Sequence, residues 1–229
     1  SLETVRGSFG VSASAENGGV KIAVEGADKE GGSVSDIPGG SKVTFTAKAA
    51  RGYVFDHWLV GGKTLAELSD PDNENISAGT NADGSALLTI ANLDADKAIA
   101  AVFAPNDALT ITVSVNNENR GKLSYTLRNI YGDVVEENAE IPGNLNSPGV
   151  LRVYKGESLR LTVAPAPGNM VERWVVNDKS TATSEKYKDF DRITSDMTVQ
   201  VYLKASTGYT VYYYTSGNGS LKATADGIP

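Results

Sequence analysis

One pattern of residues occurs three times along the chain. Each copy has a run of alternating apolar and polar residues, a turn rich in Asn and Gly, and a second alternating run. Gly19, Gly121 and Gly219 mark the three turns, so the period is about 100 residues. Alternation places every second side chain on one face of a strand, and tight turns favour Asn and Gly. The copies therefore predict β-hairpins with one buried face at residues 11–24, 109–127 and 209–223.

A second block recurs in the first two copies. A strand pattern follows a Gly, another Gly precedes a Trp at the same spacing, and an Asp-containing turn leads into a closing strand. The paired landmarks are Gly40 and Gly156, Gly52 and Gly168, Trp58 and Trp174, and Asp96 and Asp196. A strand frame that is repeated in this way favours separate modules over one large domain.

The landmarks divide the chain into three parts. Residues 1–105 are predicted to be a first β-repeat module, 106–205 a second, and 206–229 the first hairpin of a truncated third. The third copy stops before its Trp block, and half a module cannot bury its own face. We therefore expect the natural chain to continue.

The segments between the landmarks differ between the copies. Residues 61–87 and 128–148 are rich in Asn, Gly, Pro, Asp or charge, which predicts variable surface loops. The linkers at residues 104–107 and 204–207 are short, so neighbouring modules are expected to be strung end to end.

Composition excludes several classes of function. Hydrophobic residues make up 40% and charged residues 21%, so each module can bury a core. A net charge of −7 without a Lys/Arg cluster argues against nucleic acid or an anionic lipid as partner. The absence of cysteine excludes disulfides, thiolate metal sites and a cysteine nucleophile. Residues 1–4 show no signal pattern, and no apolar run approaches the ~20 residues of a membrane span, so we expect a soluble, processed region without membrane insertion.

Three strand blocks of the first module carry a family pattern. They are Gly-Ser-Lys-Val-Thr-Phe-Thr-Ala at 40–47, Gly-Tyr-Val-Phe-Asp-His-Trp at 52–58 and Asp-Lys-Ala-Ile-Ala-Ala-Val-Phe at 96–103. Together they resemble the divergent internalin-type B repeats of bacteria. The second module departs from the pattern, with Asn169 and Val171 where the family has Tyr and Phe, and Leu203 where it has Phe. Its assignment therefore depends partly on the internal repeat.

The resemblance implies small β-rich modules in tandem on secreted or surface-anchored bacterial proteins, serving as spacers, adhesive segments or supports. It implies no catalytic residue and no cofactor. The internalin B repeat is a β-grasp variant, whereas modules with these insertions suit a small β-sandwich equally well. We predict an all-β fold of tandem small modules, β-grasp-like or sandwich, with little helix beyond a turn near Thr64 to Leu68.

Aromatic and histidine side chains are the first candidates for a site. His57 is the only histidine, and Arg173 holds its place in the second module, which indicates a solvated positive position beside Trp. Trp58 and Trp174 could stack on sugars, but their identical placement in a repeated frame favours a core role. In the third copy, alternation exposes Tyr212 and Tyr214 on one face and Tyr213 on the other, unless the rest of the repeat covers them.

Acidic segments give two further candidates. The stretch from Asp70 to Asp83 offers oxygen ligands of the kind that Ca²⁺ binds, but Asn75 and Asn81 stand where an EF-hand loop needs Gly and Glu. The pairs Glu136–Glu137 and Asp189 with Asp191 could hydrolyse glycosides, yet they lie in charged, loop-like segments without aromatic neighbours. We predict no catalytic, cofactor-binding or metal-binding residues, and no enzyme.

The sequence thus predicts a non-catalytic repeat region of a bacterial cell-surface or secreted protein, acting as a spacer and interaction module. The alternative is an adhesin region that binds carbohydrate or a host protein through the variable loops, residues 61–87 and 128–148. In both cases the expected partner is a protein or a glycan, the location is extracellular or at the cell surface, and the fragment is monomeric.

Overall fold

A computed structural model describes residues 7–24, 27–69, 72–208 and 216–220. The chain divides into two compact units, Ser1–Asp107 and Ala108–Pro229, called here the first and second module. Most of the expected third copy, residues 206–229, lies outside the described residues.

The first module consists of two five-stranded sheets. Its strands are β1 (Ser8–Ala15), β2 (Gly18–Val24), β3 (Ala27–Glu30), β4 (Gly32–Pro38), β5 (Val43–Ala49), β6 (Tyr53–Val60), β7 (Lys63–Thr64), β8 (Ile76–Thr80), β9 (Ala86–Ile90) and β10 (Lys97–Pro105). The sheet orders are β4-β1-β10-β6-β7 and β3-β2-β5-β9-β8. A 3-10 turn, Leu65–Glu67, and a short helix, Asp72–Asn75, lie between β7 and β8. The 3-10 turn confirms the helical turn expected there.

The second module repeats this topology with one strand fewer. Its strands are β11 (Ala108–Val115), β12 (Gly121–Arg128), β13 (Val134–Glu140), β14 (Gly149–Tyr154), β15 (Ser158–Pro165), β16 (Asn169–Val176), β17 (Lys179–Ala182), β18 (Tyr187–Phe190) and β19 (Met197–Ala205). The sheet orders are β14-β11-β19-β16-β17 and β13-β12-β15-β18. Each strand occupies the position of its counterpart, and β8 has no equivalent in the described part of the second module.

Each module is a β-sandwich. The alternation read from the sequence is visible in β5, where Val43, Phe45 and Ala47 are buried and the residues between them are half-buried. Side chains from both sheets of the first module form one continuous core, for example Phe45 from β5 and Trp58 from β6. The second module has a core of the same kind. The all-β prediction is therefore confirmed, and of the two alternatives the sandwich is the one formed, since the described residues place no helix across a sheet.

The predicted hairpins at residues 11–24 and 109–127 are wrong in one respect. β1 pairs with β4 and β10, whereas β2 pairs with β3 and β5, so the two strands lie in different sheets. β11 and β12 are separated in the same way. Alternation cannot reveal this, because a strand with one buried face has the same pattern in either sheet.

The turn from β1 to β2 crosses from one sheet to the other, and where it comes closest to the neighbouring strands only a glycine fits. A Cβ atom on Gly18 would overlap the Phe103 ring and lie 2.6 Å from the Lys48 carbonyl oxygen. Gly121 has the same surroundings in the second module, where a Cβ would lie 2.6 Å from Leu203 Cδ1 and 2.7 Å from the Ala164 carbonyl oxygen. Gly18, rather than Gly19, is thus the structural counterpart of Gly121.

Two segments predicted to be loops contain strands. β8 lies within residues 61–87, and β13 lies within residues 128–148. Both pair with the edge of a sheet, so backbone hydrogen bonding outweighs their polar composition. β10 extends to Pro105 and β19 to Ala205, so both strands run into the segments predicted to be linkers.

Gly18→Ala should lower the free energy of unfolding of the first module by about 1–3 kcal/mol, because the new methyl group must displace a ring and a backbone carbonyl. Chemical denaturation followed by circular dichroism measures the change.

Gly19→Ala is the matched control, since a Cβ there meets nothing within 4 Å. Its effect should stay within about 0.5 kcal/mol. Equal losses in the two variants would show that the crossing turn does not depend on close approach at Gly18.

Candidate functional site

The first and last strands of each module pair with each other in parallel. Residues 11–15 of β1 stand opposite residues 97–101 of β10, and residues 111–115 of β11 stand opposite 197–201 of β19. All other pairs of strands in the described part of the chain are antiparallel. In a parallel pair, the start of one strand and the end of the other lie at opposite ends. The chain therefore enters and leaves each module at opposite ends of one sheet.

An aspartate fixes the entry end of this pair in both modules. Asp96 Oδ1 accepts a hydrogen bond of 2.7 Å from the Gly10 backbone N–H. Asp196 Oδ1 accepts one of 2.8 Å from the Thr110 N–H. The Asp residues recognised in the sequence as turn landmarks thus also bind the first strand, which their spacing alone does not show.

His57 and Arg173 occupy equivalent positions beside a bulge. The pairing of β6 with β10 skips Asp56, and that of β16 with β19 skips Glu172. His57 Nδ1 lies 2.7 Å from Asp56 Oδ2, and Arg173 Nη1 lies 2.5 Å from Glu172 Oε2. The His57 side chain is 41% exposed. The structure thus places His57 at the surface in contact with the neighbouring Asp56, and an arginine takes its position in the second module.

Arg173 has a second contact that the sequence did not predict. Its guanidinium carbon lies 3.8 Å from the centroid of the Tyr202 ring on the neighbouring strand β19. This geometry is that of a cation–π interaction. It ties the bulge to the last strand of the second module.

Trp58 and Trp174 are core residues, as predicted. Each is only 2% exposed, so neither ring is available to a sugar. Trp174 Nε1 donates a hydrogen bond of 3.0 Å to the Glu185 carbonyl oxygen. Trp58 packs against Phe55 at a centroid distance of 5.2 Å, but its Nε1 is buried and has no hydrogen-bond partner among the described residues.

Trp174→Phe should therefore cost the second module about 1 kcal/mol more than Trp58→Phe costs the first, because only the former loses a hydrogen bond. Thermal and chemical denaturation monitored by circular dichroism measure both losses. A larger loss for Trp58→Phe would contradict the assignment of the two indole N–H groups.

The acidic stretch from Asp70 to Asp83 is only partly described, since residues 70 and 71 lie outside the described ranges. The Asn75 side chain bonds both the N–H and the carbonyl of Asn92. Asp83 accepts from the Ser85 N–H and hydroxyl, and forms an ion pair of 2.9 Å with Lys48. The hydrogen bonds from Ser85 and the Lys48 charge hold the pKa of Asp83 well below its usual range. The side-chain oxygens of Asn75 and Asp83 are therefore engaged in structural contacts with Asn92, Ser85 and Lys48.

Tyr212, Tyr213 and Tyr214 lie outside the described residues. Within the described ranges no group of three or more His, Cys, Asp or Glu side chains is positioned to hold a metal ion.

The outer face of the sheet β13-β12-β15-β18 carries a polar groove of about 450 Å³. Leu159, Leu161 and Val163 of β15 point into the core, which turns Arg160 and Thr162 outward. The residues lining the groove are Thr126, Arg128, Glu137, Asn138, Ser158, Leu159, Arg160, Thr162, Asp189 and Asp191. The groove thus brings together Glu137, Asp189 and Asp191. The prediction that these carboxylates lie in loops is wrong for Glu136 and Glu137, which lie in β13, and for Asp189, which lies in β18.

Arg160 and Asp189 form the central contact of the groove. The Arg160 Nε and Nη2 atoms bond the two Asp189 oxygens at 2.6 and 2.7 Å, and the guanidinium lies 4.6 Å from the Tyr187 ring centroid. The hydrogen bonds and charge of Arg160 lower the pKa of Asp189. A glycosidase general acid needs the opposite shift. Asp189 is therefore an ionised partner of Arg160.

Asp189→Asn should weaken the acid sensitivity of the second module. Because the pKa of Asp189 is lowered in the folded protein, the ion pair stabilises the fold above the unfolded pKa of about 3.9 and loses this effect as the pH falls through the lower folded value. Both partners are partly exposed, so the variant should lose less than about 1 kcal/mol at neutral pH. Thermal unfolding from pH 7 to 2 should show a flatter acid limb.

Asp191→Asn removes a carboxylate from the same groove and serves as control. It should leave the acid limb as in the parent. A flatter limb in both variants would mean that the Arg160 contact is not its source.

Residues 20–107 match the divergent InlB B-repeat domain. The match confirms the resemblance carried by the strand blocks of the first module. The matched residues run from within β2 to just beyond the closing strand β10. No curated protein matches the sequence.

Two bacterial pilus proteins are among the solved structures that match. The pilus adhesin SpaC from Lactobacillus rhamnosus GG, in its open conformation, is 10% identical with a TM-score of 0.43, over 89% of this chain and 32% of the adhesin. The major pilin from Streptococcus pyogenes is 9% identical with a TM-score of 0.29, over 89% of this chain and 99% of the pilin. This chain thus spans about a third of the adhesin's length. Over the described ranges, no helix is long and apolar enough to cross a membrane.

Proposed function

We propose that this chain is a non-catalytic repeat region of a bacterial surface or secreted protein and that it acts as a spacer. The observation that carries the proposal is the parallel pairing of the first and last strands in both modules. Because the chain enters and leaves at opposite ends, a module adds the length of its sheet to the chain. β10 has nine residues, which corresponds to about 30 Å of extended strand.

The connection between the modules suits the same role. β10 ends at Pro105 and β11 begins at Ala108, so only Asn106 and Asp107 join them. The Asn106 N–H donates to the Gly52 carbonyl at 2.8 Å, which ties the start of the connector to the first module. So short a connector contributes little slack, and most of the added length comes from the folded modules.

The match to the B-repeat domain supports an extracellular or cell-surface location. The net charge of −7 makes a polyanionic partner unfavourable and a protein or neutral glycan partner more suitable. Each module forms a hydrophobic core of its own, so units of this kind can be strung in tandem, which is the property a spacer requires.

A second candidate function is ligand binding in the polar groove of the second module. Its lining combines Arg, Asp, Asn, Ser and Thr side chains, and Tyr187 beside it is 46% exposed. Such groups can recognise the hydroxyls and rings of a sugar or the polar surface of a host protein. The groove would then belong to an adhesin region, and β13, which lies within residues 128–148, would form one wall.

The spacer role predicts that reach depends on the number of modules. The chain can be displayed between a cell-wall anchor and a reporter domain, with no module, residues 1–107, or the whole chain inserted. The cells carry a polymer brush of graded thickness, and beads coated with a binding partner of the reporter are added. The fraction of beads captured through a given brush should rise with each module. The groove variant Arg160→Ala should reach as far as the parent.

Binding of the whole chain to a glycan array tests the alternative, ligand binding in the groove. Specific binding that Arg160→Ala abolishes would favour the groove function. Reach that does not depend on module number would contradict the spacer role.

A further inference from the structure

We propose that the second module bears tension along the chain through the β11–β19 pair, and that the Asn116 and Arg120 side chains lock this pair at its exit end. The inference rests on the proposed spacer role, because a spacer between an anchor and a bound partner is pulled from both ends. It adds a mechanical function to particular residues.

The direction of the strands decides how a pull acts. β11 and β19 are parallel, so tension draws β11 toward its start and β19 toward its end. The two strands must then slide along each other, and the hydrogen bonds between residues 111–115 and 197–201 are loaded together. If both strands were pulled from the same end, the bonds would break one after another. A shear load therefore requires a higher force than a peeling load on the same bonds.

The pair lies in the middle of its sheet. β14 flanks β11, and β16 flanks β19, so neither strand is at an edge. Val113, Val199 and Val201 are at most 1% exposed. These three side chains face the core, so water is excluded from that side of the bonded strands.

Asn116 extends the pairing beyond the last backbone partners. Its N–H donates to the Val201 carbonyl at 3.0 Å. Its side-chain Nδ2 donates to the Leu203 carbonyl at 2.9 Å, and its Oδ1 accepts from the Leu203 N–H at 2.9 Å. The amide thus bonds both backbone groups of one residue on the last strand, as a paired strand residue would.

Arg120 reinforces the same point. Its Nη1 donates to the Leu203 carbonyl at 3.1 Å. Leu203 itself is 1% exposed and packs in the core. The locked backbone is thus anchored by a buried side chain, so the lock cannot move without disturbing the core.

The Asn116 contact is not repeated at the equivalent position in the described part of the first module. Its counterpart of Asn116 is Glu16, which follows Ala15 opposite Ala101 just as Asn116 follows Val115 opposite Val201. Glu16 is exposed and makes no side-chain bond to β10 in the described part of the module. The second module's crossing turn is longer and contains the 3-10 turn Glu118–Arg120. That turn places Arg120 next to the last strand.

The chain contains no cysteine, so two introduced cysteines can serve as unique handles for single-molecule pulling. Ala108→Cys with Ser206→Cys loads the β11–β19 pair in shear within the whole chain. Ala108→Cys with Ser195→Cys loads the same pair from one end. The proposal expects a clearly higher unfolding force for the first set of handles. Equal forces, or a higher force from one end, would overturn it.

Asn116→Ala tests the lock. At constant shear load it should unfold the second module about tenfold faster, as expected for the loss of two hydrogen bonds. It should leave unfolding from one end unchanged, because that load breaks the bonds at the opposite end first. Arg120→Ala, which removes one bond, should show a smaller effect of the same kind. An Asn116→Ala effect that is equal in both directions of load would overturn the lock and indicate general destabilisation.

Asn129→Ala is the matched control. The Asn129 side chain also makes two backbone contacts, with the N–H groups of Tyr131 and Asp133, but in a turn away from the pair. It should change thermal stability without a preference for shear. The pulling experiments load the second module directly, so they test the mechanical proposal separately from the spacer role. If the β11–β19 pair unfolds at low force while capture still improves with the number of modules, the mechanical proposal is rejected and the spacer role is kept. If capture does not depend on the number of modules while the pair still unfolds at a high force in shear, only the spacer role is rejected.

Discussion

The parallel hydrogen bonding of the first and last strands is the interaction on which each module depends. It joins residues that are far apart in the sequence, such as Val11 with Lys97 and Ile111 with Met197. Closing so long a loop costs conformational entropy, which the strands and the core packed around the pair offset in the folded module. Asp96 and Asp196 then fix the start of the pair by binding the backbone of the strand opposite.

Around this shared pair the two modules distribute stabilising contacts differently. The first adds β8 to one sheet, and this strand covers the edge of β9. In the second module β18 is the edge strand, and the Arg160–Asp189 ion pair joins it to β15. The Arg173–Tyr202 contact joins β16 to β19 in the other sheet. Surface ion pairs contribute little individually, so these contacts add specificity of pairing more than stability. The buried core, formed in the same way in both modules, supplies most of the stability.

These properties connect the fold to the proposed role. In the proposed role, a sandwich whose terminal strands lie side by side and parallel extends the chain and is loaded in shear by a pull on its ends. The outer faces are then free to vary, and the polar groove of the second module shows how such variation could create a binding surface. Spacing and binding thus make demands on different parts of the same module, since one depends on the central strands and the other on an exposed face.

The sequence by itself determined the repeat, the all-β class, the burial of Trp58 and Trp174 and the helical turn after β7, because alternation, spacing and turn residues are local signals. Only the tertiary structure decided which sheet each strand joins, that β1 and β2 face each other across the core, and that residues 128–148 contain a strand. A strand with one buried face reads the same in either sheet, and backbone pairing carries no residue code. The lock at Asn116 was hidden for the same reason, since its partner is the backbone of Leu203.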